Sequence, residues 1–308
     1  MDIFLQQIIN GLTLGSIYAI VALGYTMVYG IIQLINFAHG EIVMIGALVA
    51  LTAIGWLGAN TALPPLVIVL AGTGAAIPVC MLVGYALERL AYRRLRHAPR
   101  LAPLITAIGA SIVLQQFAMM IWSRNPLAFP QLIPNRVFHV AEATITLVQI
   151  AIIVSSVVMM AGLTLIVYRT RLGVAMRATS QNAHIAGLMG VDINRVIAAT
   201  FMLGAVLAAV AGVMVGSYYG IAHYTMGSLL GLKAFAAAVL GGIGNLAGAM
   251  LGGMLLGIVE ALGAGYIGDL TDNAFGSNYQ DVFAFLVLIA VLVLRPSGLL
   301  GDRVGDRA

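Results

Sequence analysis

The chain has 308 residues, of which 61% are hydrophobic and only 8% are charged. Soluble domains carry about 25% charged residues, so this composition excludes a soluble globular protein and indicates one that crosses a membrane several times. A net charge of +4 would suggest nucleic acid as the partner of a soluble protein. Here it reflects arginines placed between apolar runs, and no nucleic acid is expected. The single cysteine excludes an intramolecular disulfide and a metal cluster built on thiols.

Apolar runs follow one another along the whole chain. Those that could span a membrane cover roughly 7–31, 37–58, 63–87, 101–122, 144–168, 196–219, 247–267 and 280–294, with a shorter one at 231–243. A spanning helix needs about 20 apolar residues, and open sheet edges would leave backbone groups unpaired in lipid. We therefore predict an all-α polytopic membrane protein with about 8–9 transmembrane helices, some broken or re-entrant, in a single domain over 1–308. The first basic residue is Arg89, so the N-terminal run is expected to be a retained span and not a cleaved signal peptide.

The basic residues predict the orientation. The linker 88–100 holds five of them, the loop 169–195 four and the tail from Arg295 three. Cytoplasmic segments carry the excess of Lys and Arg, which places these three segments in the cytoplasm and the acidic 268–281 loop outside. An even number of spans must separate two segments on one side. This favours a crossing, or an equivalent broken element, within 231–267 and an N-terminus outside.

The loop 169–195 has the features of a docking surface. Within it, Ala183, Ala186, Gly187 and Gly190 recur at helical spacing, which predicts a short helix with one small, smooth face. Such a helix cannot bury itself in lipid, so we expect a separate soluble partner to cover it. The residues expected at this surface, with two arginines at its rim, are Arg177, Gln181, Asn182, Ala183, Ala186, Gly187, Gly190 and Arg195.

Polar side chains also interrupt the apolar sequence between the first two runs, in INFAHGE from Ile35 to Glu41. A charged side chain deep in a bilayer costs about 2.5–3.5 kcal/mol and usually faces a polar cavity. One interpretation is therefore a broken-helix corner beside a translocation path. The other is a short cytoplasmic turn in which Asn36 caps the next helix and Glu41 lies in its first turns. His39 and Glu41 have no third ligand at useful spacing, so no metal site is expected.

A glycine-rich run, VLGGIGNLAGAMLGGMLLG, begins at Val239. Gly241, Gly242 and Gly244 resemble part of a phosphate-binding loop, but a Walker loop needs Gly-Lys followed by Ser or Thr. The only lysine is Lys233, which lies before the run, so no nucleotide site of that kind is expected. The later glycines have the GxxxG spacing that lets helices approach closely. A glycine break that exposes helix ends to a substrate is the alternative.

Lys233 and Glu260 are the other charges within apolar regions. Lys233 is expected to extend to the outer surface. Glu260 either faces a pore or subunit interface or is buried and hydrogen-bonded. The chain has no GxSxG elbow, HExxH helix or pair of intramembrane aspartates, so no catalytic residue and no enzymatic activity are expected. The residues expected along a translocation path are Asn36, His39, Glu41, Lys233, Gly241, Gly242, Gly244 and Glu260.

Three stretches together point to a family. They are YTMVYGIIQLINFAHGE from Tyr25, MRATSQNAHIAGLMGVDINRVIA from Met176 and KAFAAAVLGGIGNLAGAMLGGMLLGIVEAL from Lys233. These stretches resemble the permease subunits of branched-chain amino acid ABC importers, and most closely the shorter of their two permeases, the LivH type. The similarity extends from about residue 7 to 301.

The resemblance implies a multi-pass protein of the bacterial inner membrane, surrounded by lipid. It implies three kinds of protein partner, namely a second, homologous permease, two cytoplasmic ABC ATPase subunits and a periplasmic amino-acid-binding protein. The ATPases would use ATP, and this chain itself would bind no cofactor. The segment from Gln181 to Gly190 would be the coupling helix that fits a groove on an ATPase. It lacks the glutamate-alanine-alanine signature of other ABC permeases. ATP-driven closure of the ATPases would move the 169–195 helix as a lever and open the path alternately to each face.

Two other functions fit the same residues. One is an ABC permease for another small solute, such as urea, amides or other amino acids, because one sequence does not assign pocket residues. The other is a stand-alone ion-coupled secondary transporter in which His39, Glu41 and Glu260 relay protons. Competition between solutes for uptake distinguishes the first alternative from a branched-chain amino acid permease. A secondary transporter, the second alternative, would need neither ATP nor a co-purifying ATPase, whereas an ABC permease needs both.

Overall fold

A computed structural model describes residues 2–96, 98–99, 101–134, 136–140, 143–270 and 279–301. These residues form helices for most of their length. In chain order the α-helices are α1 (Asp2–Ile32), α2 (His39–Asn60), α3 (Pro65–Leu87), α4 (Leu101–Ile121), α5 (Leu147–Arg169), α6 (Arg171–Gln181), α7 (Ala183–Leu188), α8 (Ile193–Tyr219), α9 (Met226–Gly241), α10 (Leu246–Leu270) and α11 (Gln280–Leu294). A π-helical turn, Glu88–Tyr92, and a 3-10 turn, Arg93–Leu95, extend α3.

The helices confirm the predicted all-α polytopic fold. In the described part of the chain, seven helices are long and apolar enough to cross a membrane, namely α1, α2, extended α3, α4, α5, α8 and α10. The apolar helices α9 and α11 are shorter, with 16 and 15 residues. At 1.5 Å per residue a 16-residue helix is about 24 Å long, somewhat less than the hydrocarbon layer. The predicted eight to nine spans are reached when these two helices are counted.

Four short strands lie between the helices. Their bounds are β1 (Leu127–Ala128), β2 (Val137–Val140), β3 (Ala143–Thr146) and β4 (Ile221–Ala222). The antiparallel pair β2–β3 has Phe138 opposite Ile145, and it directly precedes α5. The antiparallel pair β1–β4 joins the segment after α4 to the segment after α8, so α4 and α8 end on the same side of the bundle.

The three arginine-rich segments meet at one end of the bundle, as the orientation argument requires. After α3, the guanidinium of Arg96 donates to the side-chain oxygen of Asn194 at the start of α8, at 2.7 Å. Arg177 in the 169–195 loop lines a cavity together with Gly244, which follows α9. The described part of the tail donates backbone hydrogen bonds to the last turn of α9. We call this side of the molecule the arginine-rich end.

Helix α9 runs from the opposite end, where β4 precedes it, to the arginine-rich end, and α10 returns. The crossing predicted within 231–267 is therefore present. Of the 268–281 loop, residues 271–278 lie outside the described residues, as do Arg303 and Arg307 of the tail. The external position of that loop stays a prediction.

The interior of the bundle is built around α1, which packs along α10 and also contacts α8 and α9. The side chains from Ile17 to Leu23 are all 1% exposed or less. Gly15 of α1 lies against Gly253 and Gly257 of α10, where an added Cβ atom would overlap backbone atoms. Small residues let transmembrane helices approach this closely. The later glycines of the glycine-rich run therefore serve helix packing.

Replacing Gly257 with valine is expected to destabilise the bundle by about 3 kcal/mol, at the upper end of the usual cost of overpacking. The reason is that the new side chain would overlap the backbone of Gly15, which cannot move aside as a flexible side chain could. Gly162→Val in α5 is the matched control, because a Cβ atom there meets nothing within 4 Å. Thermal unfolding of both variants in the same detergent measures the difference. Equal midpoints would contradict the packing described for α1 and α10.

Candidate functional site

The helical structure is interrupted between α1 and α2, and this interruption lies inside the bundle. His39 is the first residue of α2, and it is 1% exposed. Its ring fills the space that a side chain at Gly24 of α1 would take, and it also lies close to Gly204 of α8. Gly204 is eleven residues into α8, or about 16 Å along it. Helix α2 therefore starts in the interior, as in a broken-helix corner, and not at a surface turn.

Asn36 does not cap α2, so this part of the surface-turn interpretation is wrong. The residue before the helix is Ala38, which makes no side-chain capping bond. The side-chain oxygen of Asn36 instead accepts a hydrogen bond from the Tyr92 hydroxyl at 3.0 Å. Tyr92 belongs to the π-helical turn after α3 and is 1% exposed. The break between α1 and α2 is thus fastened to the end of α3.

Glu41 lies in the first turn of α2, as expected, and is fully buried. One carboxylate oxygen accepts hydrogen bonds from Ser111 at 3.0 Å and from Gln115 at 2.8 Å, both on α4. The other oxygen lies beside Gly227 of α9 and has no hydrogen-bond partner among the described residues. Glu41 therefore connects three helices around a carboxylate that is only half satisfied.

Several buried polar atoms gather around this break. No hydrogen-bond partner within the described chain is found for the Thr26 hydroxyl, the Asn36 amide nitrogen, His39 Nε2 or one oxygen of Glu41. Each such atom typically costs about 1–3 kcal/mol, and unsatisfied buried groups are uncommon in native proteins. We name Thr26, Asn36, His39 and Glu41 the central polar cluster. It offers water or a polar ligand a place to form hydrogen bonds.

A second cluster contains the charges of α9, α10 and α11. Lys233 Nζ lies 2.7 Å from Glu260 Oε1 and 2.6 Å from Asp281 Oδ1. The Tyr18 hydroxyl donates to the other oxygen of Glu260 at 2.9 Å. Lys233 is 5% exposed and Glu260 is fully buried. The expectation that Lys233 extends to the outer surface is therefore wrong, because two carboxylates hold it inside. For Glu260, the buried, hydrogen-bonded interpretation is correct.

A cavity of about 290 Å³ lies next to Lys233, between α1, α8 and α9. It is at the end of the bundle opposite the arginines, because Ile221 of β4 forms part of its wall. We call it the outer cavity. Most of its wall is apolar, and its polar lining residues are Tyr18, Tyr219, His223, Thr225 and Lys233. Of the predicted path residues, Lys233 lines this cavity and Glu260 lies behind it.

The first glycines of the glycine-rich run form the break between α9 and α10. Gly242 and Gly244 have φ angles of 107° and 97°, which favour glycine. The tail covers much of this break, since the Leu300 N–H donates to the Gly241 carbonyl at 2.9 Å and Gly301 lies against Gly242. The expectation that Gly241 and Gly242 face a path is therefore not met in the described structure. Gly244 lines a cavity of about 90 Å³ at the arginine-rich end.

The loop 169–195 folds into two helices, α6 and α7, where one was predicted. Three short polar side chains begin the successive helices by accepting backbone hydrogen bonds. Thr170 accepts from Gly173, Asn182 from Ile185 at 3.0 Å, and Asp192 from Arg195. Such N-caps typically contribute about 1 kcal/mol each. The predicted short helix is present as α7, and Gly190, with a φ angle of 88°, follows its end.

The face that α7 exposes differs from the predicted small-residue face. Ala186 is only 5% exposed, so the expectation that it faces a partner is wrong. The most exposed residues are large and apolar, with Ile185 at 56%, Leu188 at 76% and Met189 at 81%. Such a group in a polar loop marks an interaction surface. We name Ile185, Leu188 and Met189 the α7 apolar face. Among the predicted contact residues, those that are exposed are Gln181, Asn182, Ala183, Gly187, Gly190 and Arg195.

The two arginines of this loop behave differently. Arg177 turns back toward α5, donates to the Val167 carbonyl at 2.9 Å and lies over the Tyr168 ring at 5.2 Å. Its guanidinium thus fastens α6 to the end of α5. The side chain of Arg195 is 88% exposed and pairs with Asp192 at 3.0 Å. Of the two, Arg195 is the one available at the rim.

Sequence reasoning missed a buried ion cluster after α3. Glu88 is fully buried and receives the guanidinium groups of Arg93, at 3.0 Å, and Arg96. Arg96 also reaches Asn194. A signal for this arrangement exists in the sequence, since Glu88 is the only acidic residue among the basic residues of the 88–100 linker. The cluster connects α3 to the start of α8.

Comparison with known proteins places the sequence of this chain in a family. Residues 7–292 match the family described as branched-chain amino acid transport system / permease component. The chain is 49% identical over 305 residues to the high-affinity branched-chain amino acid transport system permease protein BraD of Pseudomonas aeruginosa, which covers 97% of this chain and 96% of BraD. It is 44% identical over 305 residues to LivH of Escherichia coli (strain K12), a permease protein described in the same words, with the same coverage of each chain.

A more distant relative extends the comparison to an archaeon. The probable branched-chain amino acid transport permease protein LivH of Methanocaldococcus jannaschii is 27% identical over 312 residues, or 97% of this chain and 94% of that protein. No solved structure matches the chain. A family match over most of the chain, with relatives that align almost end to end, leaves one conclusion: the chain belongs to the family of branched-chain amino acid transport system permease components.

Proposed function

We propose that this chain is a permease subunit of an ATP-driven importer for branched-chain amino acids in the bacterial inner membrane. It forms the translocation path with a second, homologous permease. Two ABC ATPase subunits drive the cycle, and a periplasmic binding protein delivers the amino acid. The observation that carries the proposal is the 49% and 44% identity, across 97% of the chain, to proteins named as high-affinity permeases of this kind.

The α7 apolar face supports the role given to the ATPases. The six-residue helix and the Met189 that follows it expose three large apolar side chains, which need a partner that removes them from water. The loop lies at the arginine-rich end, which the positive-inside rule puts in the cytoplasm. Of the two sides of the membrane, only the cytoplasm contains ATP-hydrolysing subunits. We therefore place the ATPase contact on α7 and on the exposed polar residues beside it, from Gln181 to Ala183.

Contacts from this loop lead toward the centre of the bundle. Asp192 caps α8, and two residues further on Asn194 accepts a hydrogen bond from Arg96. Arg96 is in turn paired with Glu88. Glu88 begins the π-helical turn whose last residue, Tyr92, holds Asn36 at the break before α2. In the proposed cycle, movement of α7 on an ATPase tilts α8 and the end of α3. This shifts the central polar cluster and opens the path alternately to each side.

The proposal is tested by competition for uptake in a bacterial strain that lacks its own branched-chain amino acid importers. The strain receives this chain together with its partner subunits, and uptake of radiolabelled leucine is measured. We expect unlabelled valine and isoleucine to reduce the uptake strongly, and urea, acetamide and glutamate to leave it unchanged. A strain without the ATPase subunits is the control and should show no uptake. Inhibition by urea or amides, or labelled urea uptake without leucine uptake, would assign the permease to another solute.

A further inference from the structure

Among the described residues that line the outer cavity, Lys233 is the one fixed cation, and most of the others are apolar. We propose that Lys233 binds the carboxylate group of the transported amino acid in this cavity, and that Asp281 occupies the same position on Lys233 when the cavity is empty. The proposal rests on the proposed function and adds to it a substrate site with named residues. It is argued from the hydrogen bonds of Lys233, the charge of its surroundings and the shape of the cavity.

The ammonium group of Lys233 has three N–H donors, and two of them make hydrogen bonds, one short and one long. One donates to Glu260 at 2.7 Å and one to the Tyr18 hydroxyl at 3.4 Å. The contact with Asp281 is close, at 2.6 Å, but Asp281 Oδ1 makes no hydrogen bond of acceptable geometry among the described residues. The third contact is thus a close ion pair without a well-aligned hydrogen bond, and in the proposal it is the contact that exchanges.

The two carboxylates differ in how firmly they are held. Glu260 is fully buried, and both of its oxygens are hydrogen-bonded, one to Lys233 and one to Tyr18. The Asp281 side chain is 32% exposed, although its Oδ1 atom, which contacts Lys233, is buried. A carboxylate that retains contact with solvent loses less when it leaves its partner than one that is fully buried. Exchange therefore takes place at Asp281, while Glu260 keeps Lys233 in position.

The charge balance favours a carboxylate as the group that enters. With all three groups ionised, Lys233, Glu260 and Asp281 carry one positive and two negative charges. If Asp281 withdraws and a ligand carboxylate takes its place, the charge around Lys233 is the same before and after. A neutral ligand group would leave the Lys233 donor less well satisfied, and an ammonium group would meet Lys233 as a like charge.

The shape of the cavity fits an aliphatic amino acid. Its volume of about 290 Å³ is at the lower limit of pockets that hold small molecules. Val215, Leu229 and Leu230 supply an apolar wall for the side chain. Tyr219 and Thr225 also line the cavity, and their hydroxyl groups can accept hydrogen bonds from the ligand's ammonium group. A branched aliphatic side chain with a zwitterionic head group matches these surroundings.

The test measures equilibrium binding of radiolabelled leucine to the assembled transporter in nanodiscs, without the binding protein. We expect Asp281→Asn to raise the affinity about tenfold, because the competing carboxylate is gone. Lys233→Met together with Glu260→Gln should lower it at least tenfold, the factor expected for one lost hydrogen bond to a charged group. This double substitution removes both buried charges, so that neither is left unpaired. Arg89→Gln, at an exposed position of the π-helical turn at the arginine-rich end, is the control and should leave the affinity unchanged.

Two leucine analogues test which end of the ligand meets Lys233. We expect 4-methylpentanoate, which lacks the amino group, to displace labelled leucine, and 3-methylbutylamine, which lacks the carboxylate, to fail. Unchanged or weaker leucine binding in Asp281→Asn, or displacement by the amine alone, would overturn the assignment while leucine uptake by the unmodified transporter still supports the proposed function. If the unmodified transporter takes up no leucine at all, the proposed function fails, and this site falls with it.

Discussion

Replacing Leu188 and Met189 with aspartate should abolish ATP-dependent uptake and leave the permease folded. The two side chains are 76% and 81% exposed, so the free permease loses little packing when they change. In the assembled transporter they would be buried against an ATPase, where burying one such side chain contributes about 1.5–3 kcal/mol. Losing two of them weakens the ATPase contact at least about 100-fold, before the cost of placing two carboxylates in an apolar contact.

Co-purification of the ATPase subunits with a tagged permease measures this effect. The control replaces Val137 and Phe138 of β2 with aspartate, because these residues are also apolar and exposed, at 47% and 45%, but lie beside the start of α5. The control should retain its ATPases in full. An α7 variant that still binds the ATPases and still imports leucine would show that the coupling surface lies elsewhere.

Lys233→Met alone should destabilise the permease by about 3–5 kcal/mol, the usual cost of breaking a buried ion pair by removing one partner. The substitution leaves the fully buried carboxylate of Glu260 without its cation. Adding Glu260→Gln should recover most of the loss, because the neutral amide can still accept a hydrogen bond from Tyr18. The recovery is the coupling energy of a double-mutant cycle.

Thermal or denaturant-induced unfolding in detergent supplies the four values of that cycle. The exposed pair between Arg195 and Asp192 serves as the comparison, since surface pairs contribute about 0–1 kcal/mol and its arginine side chain is 88% exposed. If Lys233→Met unfolds with the same midpoint as the unmodified chain, Lys233 is not paired in the interior. The arrangement of the charged cluster described above would then be wrong.

The course of the chain was largely predictable from its sequence. Apolar runs of about 20 residues leave helices as the main choice in lipid, and the arginines reveal which ends lie together. The crossing by α9 was predicted only because an even number of spans must separate two cytoplasmic segments. Its 16 residues are few for a span. A break in the glycine-rich run was only the alternative to helix packing, and the structure has both, with positive φ angles at Gly242 and Gly244.

The details of the candidate sites depend on packing between distant segments, which sequence spacing does not report. Small residues at helical spacing identified a face of α7 but not its direction. Small faces permit close approach, and here that approach is made to the chain itself, which buries Ala186 and leaves Leu188 outside. Lys233 was expected to extend to the surface as long charged side chains usually do. Its pairing with Asp281 was missed because that residue is 48 positions away and on another helix.

The position of α2 was equally hidden. Whether INFAHGE lies at the surface or in the interior depends on how far α2 extends along α8 and α9. The contacts of His39 with Gly24 and Gly204 settle that position, and no local pattern in the sequence reports it. The roles given to the central polar cluster and to the α7 apolar face in transport stay predictions.

In the proposed function, this permease works only when partner subunits hydrolyse ATP. The most direct test reconstitutes the assembled transporter in liposomes, with the binding protein and labelled leucine on one side and nucleotide on the other. We expect leucine to accumulate when the liposomes contain ATP and Mg²⁺, and not when they contain ADP, whatever the proton or sodium gradient. Accumulation driven by an ion gradient without ATP would contradict the account and identify a secondary transporter.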